Sequence, residues 1–147
     1  MTNPRVLLVD GHSVIFRWPE LANQHRERTE RARNSLIQLL TAYQDSTGIH
    51  VVVVFDGKGS KLDQSTNQPG GIQIFYSQAN KTADSVIERI VAKYAARYQV
   101  TVATDDHLEQ QTTMSLGGEV ISTEQLKENM RLAERELTER VNKLRRS

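Results

Sequence analysis

Cysteine is absent from this 147-residue chain. Disulfides and thiolate metal sites are therefore excluded, and any bound metal must be held by oxygen or imidazole. A dominant charge is missing as well: 19 Lys+Arg stand against 18 Asp+Glu. The whole molecule carries no polyanion-binding signature, so a nucleic-acid role needs a local basic patch. No apolar run approaches the roughly 20 residues of a membrane span. The opening Met-Thr-Asn-Pro-Arg leads into only a short apolar stretch, unlike a secretory signal. A cytoplasmic protein without a membrane partner is the resulting expectation. Two phosphate-binding signatures are also lacking, since neither GxGxxG after the first strand nor GxxxxGK[ST] occurs. The length suits one domain over residues 1–147, large enough to bury roughly two-thirds of its unfolded surface.

What is present is an alternation of short apolar runs and helical stretches. Strands are expected at 6–9, 50–55, 72–77, 100–103 and 119–121, and the run His-Val-Val-Val-Val-Phe, apolar on both faces, reads as a central parallel strand. Residues 27–46 carry Ala32, Leu36, Leu39, Leu40 and Tyr43 at helical spacing, with Gly48 as a stop. A second crossover helix is expected over 83–98, capped by Thr82 or Asn80. Ser122 and Gln125 fit a capping box that opens an amphipathic C-terminal helix over 123–146. Its stripe, Leu126, Met130, Ala133, Leu137, Val141 and Leu144, either docks on its own domain or serves a partner, leaving monomer and homodimer both open. Residues 56–71 read as a long polar loop.

The acids fall at equivalent places. Asp10 ends the first strand, Asp56 ends the second, and Asp105 and Asp106 follow the fourth. In an open α/β sheet the carboxyl ends of parallel strands lie along one edge, where ligands bind. Asp84, in the first turn of the second crossover helix, would join them. Each acid alone has an ordinary structural reading: Asp84 favoured by a helix dipole, Asp56 in a turn, Asp105 or Asp106 as a cap. Together they are harder to explain, because two carboxylates about 4 Å apart repel by roughly 4 kcal/mol at an effective dielectric near 20. A divalent cation relieves that repulsion, and hard oxygen ligands favour Mg²⁺ or Mn²⁺. Such a site activates water for attack on a phosphodiester. The expected substrate is a nucleic acid, met by Arg17, Lys58, Lys61 and Lys81, with Trp18 and Tyr76 offering stacking faces.

Five ordered motifs, "LLVDGHSVIFRWPEL", "VVVVFDG", "NKTADSVIERIV", "VATDDHLEQ" and "SLGGEVISTEQL", closely resemble the YacP-like NYN domain, a branch of the PIN-like ribonuclease group. The resemblance covers residues 5 to 130. It implies a three-layer α/β/α PIN-like sandwich with a mainly parallel central sheet of about five strands and, here, a long C-terminal helix. It also implies a Mg²⁺-dependent endoribonuclease acting in messenger RNA decay, with RNA and in one case the translating ribosome as partners. By motif, Asp10, Asp56, Asp84 and Asp106 match the acidic site, with Ser13 and Thr104 beside it. Three positions depart from the pattern: His12 stands where an aromatic is usual, Ser13 where an Asn is usual, and Asp105, an accessory ligand or a competitor, where a small polar residue is usual. The alternative implied by these departures is an RNA- or ribosome-binding module without turnover.

Overall fold

The apolar runs do line up as neighbouring strands in the computed structural model, which describes residues 4–57, 66–67, 71–77 and 82–146. β1 (Arg5–Asp10) lies between β2 (His50–Phe55) and β5 (Gln99–Ala103), parallel to both, with Val6 opposite His50 and Val9 opposite Ala103. Outside β2 come β4 (Gln73–Tyr76), also parallel, and the two-residue β3 (Thr66–Asn67), antiparallel to β4. Outside β5 lies β6 (Glu119–Ile121), so the sheet order is β3-β4-β2-β1-β5-β6. Successive strands run outward from β1 in both directions. The sheet therefore reverses its order at the carboxyl end of β1, where Asp10 stands, and this is the position at which open α/β sheets form a ligand crevice.

Both faces of the central strands are apolar, and each is covered by helices. One face, with Leu7, Val9, Val51, Val53 and Phe55, packs against α1 (Gly11–Arg17), α2 (Pro19–Glu27), α3 (Thr29–Thr47) and the start of α6 (Thr123–Arg146). The other, with Leu8, Val52, Val54 and Val102, packs against Ile87 and Val91 of α4 (Ala83–Tyr94). α5 (His107–Ser115) flanks α4 and β6. This is the α/β/α sandwich implied by the motifs, with five parallel strands and one short antiparallel addition. No described helix is long and apolar enough to cross a membrane.

Local chemistry sets the boundaries. Gly48 takes φ 76 at the end of α3, a left-handed angle that a side chain would disfavour. α4 stops at Tyr94, a turn before the expected 98, because the chain must bend into β5, where the Gln99 N–H donates to the Pro4 carbonyl at 2.8 Å. The segment between β1 and α3, assigned no helix from sequence, forms α1 and α2. Asp10 caps the first, and Pro19 opens the second after the extended Trp18. At α6 half of the expected box forms: Ser122 Oγ accepts from the Gln125 N–H at 3.0 Å, while the Gln125 amide donates to Asn129. Leu126 is fully buried, whereas Leu137, Val141 and Leu144 are 46, 40 and 74% exposed. Among the described residues the N-terminal half of α6 docks on the domain, where Met130 and Ala133 follow Leu126 against the core.

Candidate active site

Asp10 both caps and faces the crevice. Its Oδ1 accepts from the backbone N–H groups of His12 and Ser13 at 3.2 and 3.4 Å. Its Oδ2 accepts from the hydroxyls of Ser13 at 2.9 Å and Thr104 at 3.1 Å. Thr104, at the end of β5, is fully buried, and Asp10 is only 3% exposed. Four donors from two strand ends thus fix this carboxylate in one orientation.

Asp10, Asp84 and Glu109 each offer an oxygen, all within 4.8 Å of one another. Asp84 approaches from the first turn of α4 and is exposed, while Glu109 of α5 is 5% exposed. Among the described residues no lysine or arginine forms an ion pair with any of the three. At that spacing two ionised carboxylates repel by about 3 kcal/mol at an effective dielectric near 20. Glu109 responds accordingly. Burial first, then hydrogen bonding to Asp84 and the charge of Asp10, push its carboxyl up from 4.5 to about 10. One of its oxygens, Oε1, is buried without a partner. A cleft of about 70 Å³ between α4 and α5, lined by Asp84, Glu109, Thr112 and Thr113, opens beside the group. Three oxygens, a buried orphan acceptor and adjacent space for water make a donor set suited to a hard divalent cation.

The sequence pointed to Asp10 and Asp84, and the structure brings these two together. Glu109 was not anticipated. In Asp106-His107-Leu108-Glu109 it occupies the position from which a glutamate normally reaches back to the capping residue's N–H. Here Thr104 Oγ1 takes the Asp106 N–H at 3.1 Å, and Glu109 turns inward instead. The available signal was the inverted face of α5: Glu109 and Thr113 are buried one turn apart, while Leu108 and Met114 are 69 and 57% exposed.

The other expected acids lie outside this three-carboxylate group. Asp106 is the cap of α5, its Oδ1 accepting from the N–H groups of Leu108 and Glu109 at 2.8 and 3.2 Å. Asp105 turns toward α6, where Oδ1 accepts the Thr123 N–H at 3.0 Å and Oδ2 its hydroxyl at 2.6 Å; Arg17 Nε lies 3.4 Å from Oδ2. Asp56 is exposed just past the end of β2, and Ser77 Oγ lies 3.4 Å from its Oδ1. The Asp56 carbonyl accepts from Arg33, whose guanidinium stacks over Phe55 and Tyr76. Gly57 follows in close contact with Ser77: a Cβ there would lie 1.8 Å from the Ser77 carbonyl oxygen. Its N–H donates to Ser77 Oγ at 3.0 Å, and the Ser77 N–H donates to the Phe55 carbonyl at 2.9 Å.

Of the expected cations, Arg17 is largely exposed beside Asp105. Lys58, Lys61 and Lys81, and the alternative cap Asn80, lie outside the described residues. Trp18 is no stacking face. It is 4% exposed, with Nε1 donating to the Thr123 carbonyl at 3.2 Å, because the apolar stripe of α1 and α2 carries it under α6. Tyr76 is half-buried beneath Arg33.

The model of the YacP-like NYN domain family matches residues 7–147. The protein YacP of Bacillus subtilis (strain 168) is 34% identical over 143 residues, spanning 95% of this chain and 82% of that protein. The crystal structure of a point mutant of Rae1 (YacP) from Bacillus subtilis superposes with a TM-score of 0.83 at 33% identity, over 97% of this chain and 85% of that one. A second crystal structure of Rae1 (YacP) from Bacillus subtilis gives a TM-score of 0.78 at 34% identity, over 95 and 80%.

Proposed function

Because the chain belongs to the YacP-like NYN domain family, we propose that it is a metal-dependent endoribonuclease acting on messenger RNA. The observation that carries this reading is the convergence of Asp10, Asp84 and Glu109 from three separate elements without a cationic side chain among the described residues to balance them. Mg²⁺ or Mn²⁺ held there would supply an activated water and stabilise charge on the departing oxygen of a cleaved phosphodiester.

The chain's own residues arrange the rest. Ser13 and Thr104 donate to Asp10 Oδ2 and, with the N–H groups on Oδ1, fix the orientation of its carboxylate. Asp106 caps α5 and so sets the position of Glu109 one turn in. Asp84, the exposed member, faces the side from which a substrate arrives. Arg17 presents a largely exposed guanidinium at the same edge for a phosphate. Lys58, Lys61 and Lys81 complete the proposed RNA contacts, and Asp56, just past the end of β2, is proposed as a further acid of the site.

The test is cleavage of single-stranded RNA with Mg²⁺, with Mn²⁺ and with EDTA. Asp10→Asn and Glu109→Gln should each abolish cleavage while leaving a cooperative melting transition. Undiminished cleavage in both variants overturns the proposal. RNA or ribosome binding without cleavage under either ion would identify a binding module instead.

A further inference from the structure

Helical spacing puts His12 and Phe16 on one face of α1, with ring centroids 4.4 Å apart and planes tilted by 39°. Phe16 also meets His25 of α2, edge to face, with centroids 4.8 Å apart. Phe16 is nevertheless 54% exposed and takes no part in either core cluster. Two imidazoles steady a phenyl ring about half of whose surface stays open to solvent.

Its position gives that surface a use. Asp10 Oδ1 accepts the backbone N–H of His12, so the aromatic row begins at the acid cluster. Arg17, next to Phe16, has a side chain 73% exposed. Past His25, the junction of α2 and α3 carries the exposed Arg26 and Arg28, while the nearby Glu27 is taken by Arg31 at 2.6 Å. An exposed aromatic ring with exposed arginines on the same and the following helix is the combination that holds single-stranded polynucleotides, bases stacking on the ring and phosphates meeting the arginines.

We propose that Phe16, held between His12 and His25, is a base-stacking ledge for single-stranded RNA leading to the acid cluster. The direction of the RNA rests on the nuclease reading above; the stacking itself does not. It needs no metal and no turnover. A protein-docking role for the same ring would require apolar area rather than a π-face.

The experiment uses the full chain in EDTA and a fluorescently labelled RNA oligonucleotide carrying 2-aminopurine. The unaltered protein should bind and quench the 2-aminopurine. Phe16→Ala should weaken binding by roughly 5- to 150-fold, the range for losing one stacked base. Phe16→Leu, which keeps apolar area without the ring, should lose nearly as much, and Phe16→Trp should bind like the parent. Equal affinity of the parent and both non-aromatic variants overturns the ledge, as does absence of binding by the parent. Separate cleavage assays keep the two readings apart. Cleavage that ignores Phe16→Ala removes the ledge alone, whereas stacking through Phe16 with no cleavage under Mg²⁺ or Mn²⁺ removes the nuclease reading alone.

Discussion

Replacing Glu109 by glutamine should stabilise the metal-free protein. Folding raises this carboxyl from 4.5 to about 10, so at neutral pH the native state holds a proton that the unfolded chain has released. The stability from this group is complete below about pH 4.5, falls as pH rises, and is gone once pH passes the folded value. Its slope is about 1.4 kcal/mol per pH unit. Between 4.5 and pH 7 the loss comes to about 3 kcal/mol, and this figure is insensitive to the folded value as long as that value stays above 7. Glutamine has the same shape, donates through its amide to Asp10 or Asp84, and never ionises. For a chain of this length about 3 kcal/mol corresponds to a rise of roughly 6–12 °C in melting temperature. The assay is thermal unfolding of both proteins in EDTA from pH 5 to pH 9. The glutamine variant should melt higher at pH 7, and the difference should widen with pH. Adding Mn²⁺ should raise the parent more than the variant, because only the parent supplies the third anionic oxygen. If the variant melts at or below the parent in EDTA with the same pH slope, burial and the neighbouring acids do not hold a proton on Glu109 as the geometry requires.

Ser13→Ala removes a donor to Asp10 and an acceptor for the Asp105 N–H; it should cost about 1–2 kcal/mol in denaturant unfolding and reduce RNA cleavage. Gly57→Ala sets a methyl against the Ser77 backbone carbonyl. It should destabilise by about 3 kcal/mol or more, at the upper end for overpacking, and an unchanged midpoint in urea would refute the contact. Leu126→Ala empties a fully buried site and should cost about 2–5 kcal/mol. Leu144→Ala on the same helix, at 74% exposure, should stay within about 0.5 kcal/mol by the same measurement.

The sheet was legible because parallel strands buried on both faces leave unbroken apolar runs, and α3, α4 and α6 because their apolar residues recur with the helical period. α1 and α2 escaped notice for a local reason. Gly11 after Asp10 reads as a turn, yet Asp10 there folds its carboxylate over the N–H groups of His12 and Ser13 and starts a helix. In the site, strand ends located the edge of the sheet where Asp10, Asp84 and Glu109 converge but not the direction of each side chain. Asp105 and Asp106 sit at that edge and spend their oxygens on Thr123 and on the start of α5. Glu109 sits one turn farther on and points back. Sequence position reports where the backbone passes; which carboxylate enters the crevice depends on which N–H groups need an acceptor first.

The clasp between Gly57 and Ser77 has a consequence for how the molecule tolerates change. Because the backbone is sutured there by the hydrogen bonds joining Phe55, Gly57 and Ser77, the acid-bearing tip of β2 is anchored independently of the number of residues strung between 57 and 72. Doubling such a span adds only about 0.6 kcal/mol of closure entropy. Asp56 thus keeps its place through β4 and Ser77 rather than through the chain that connects the two strands.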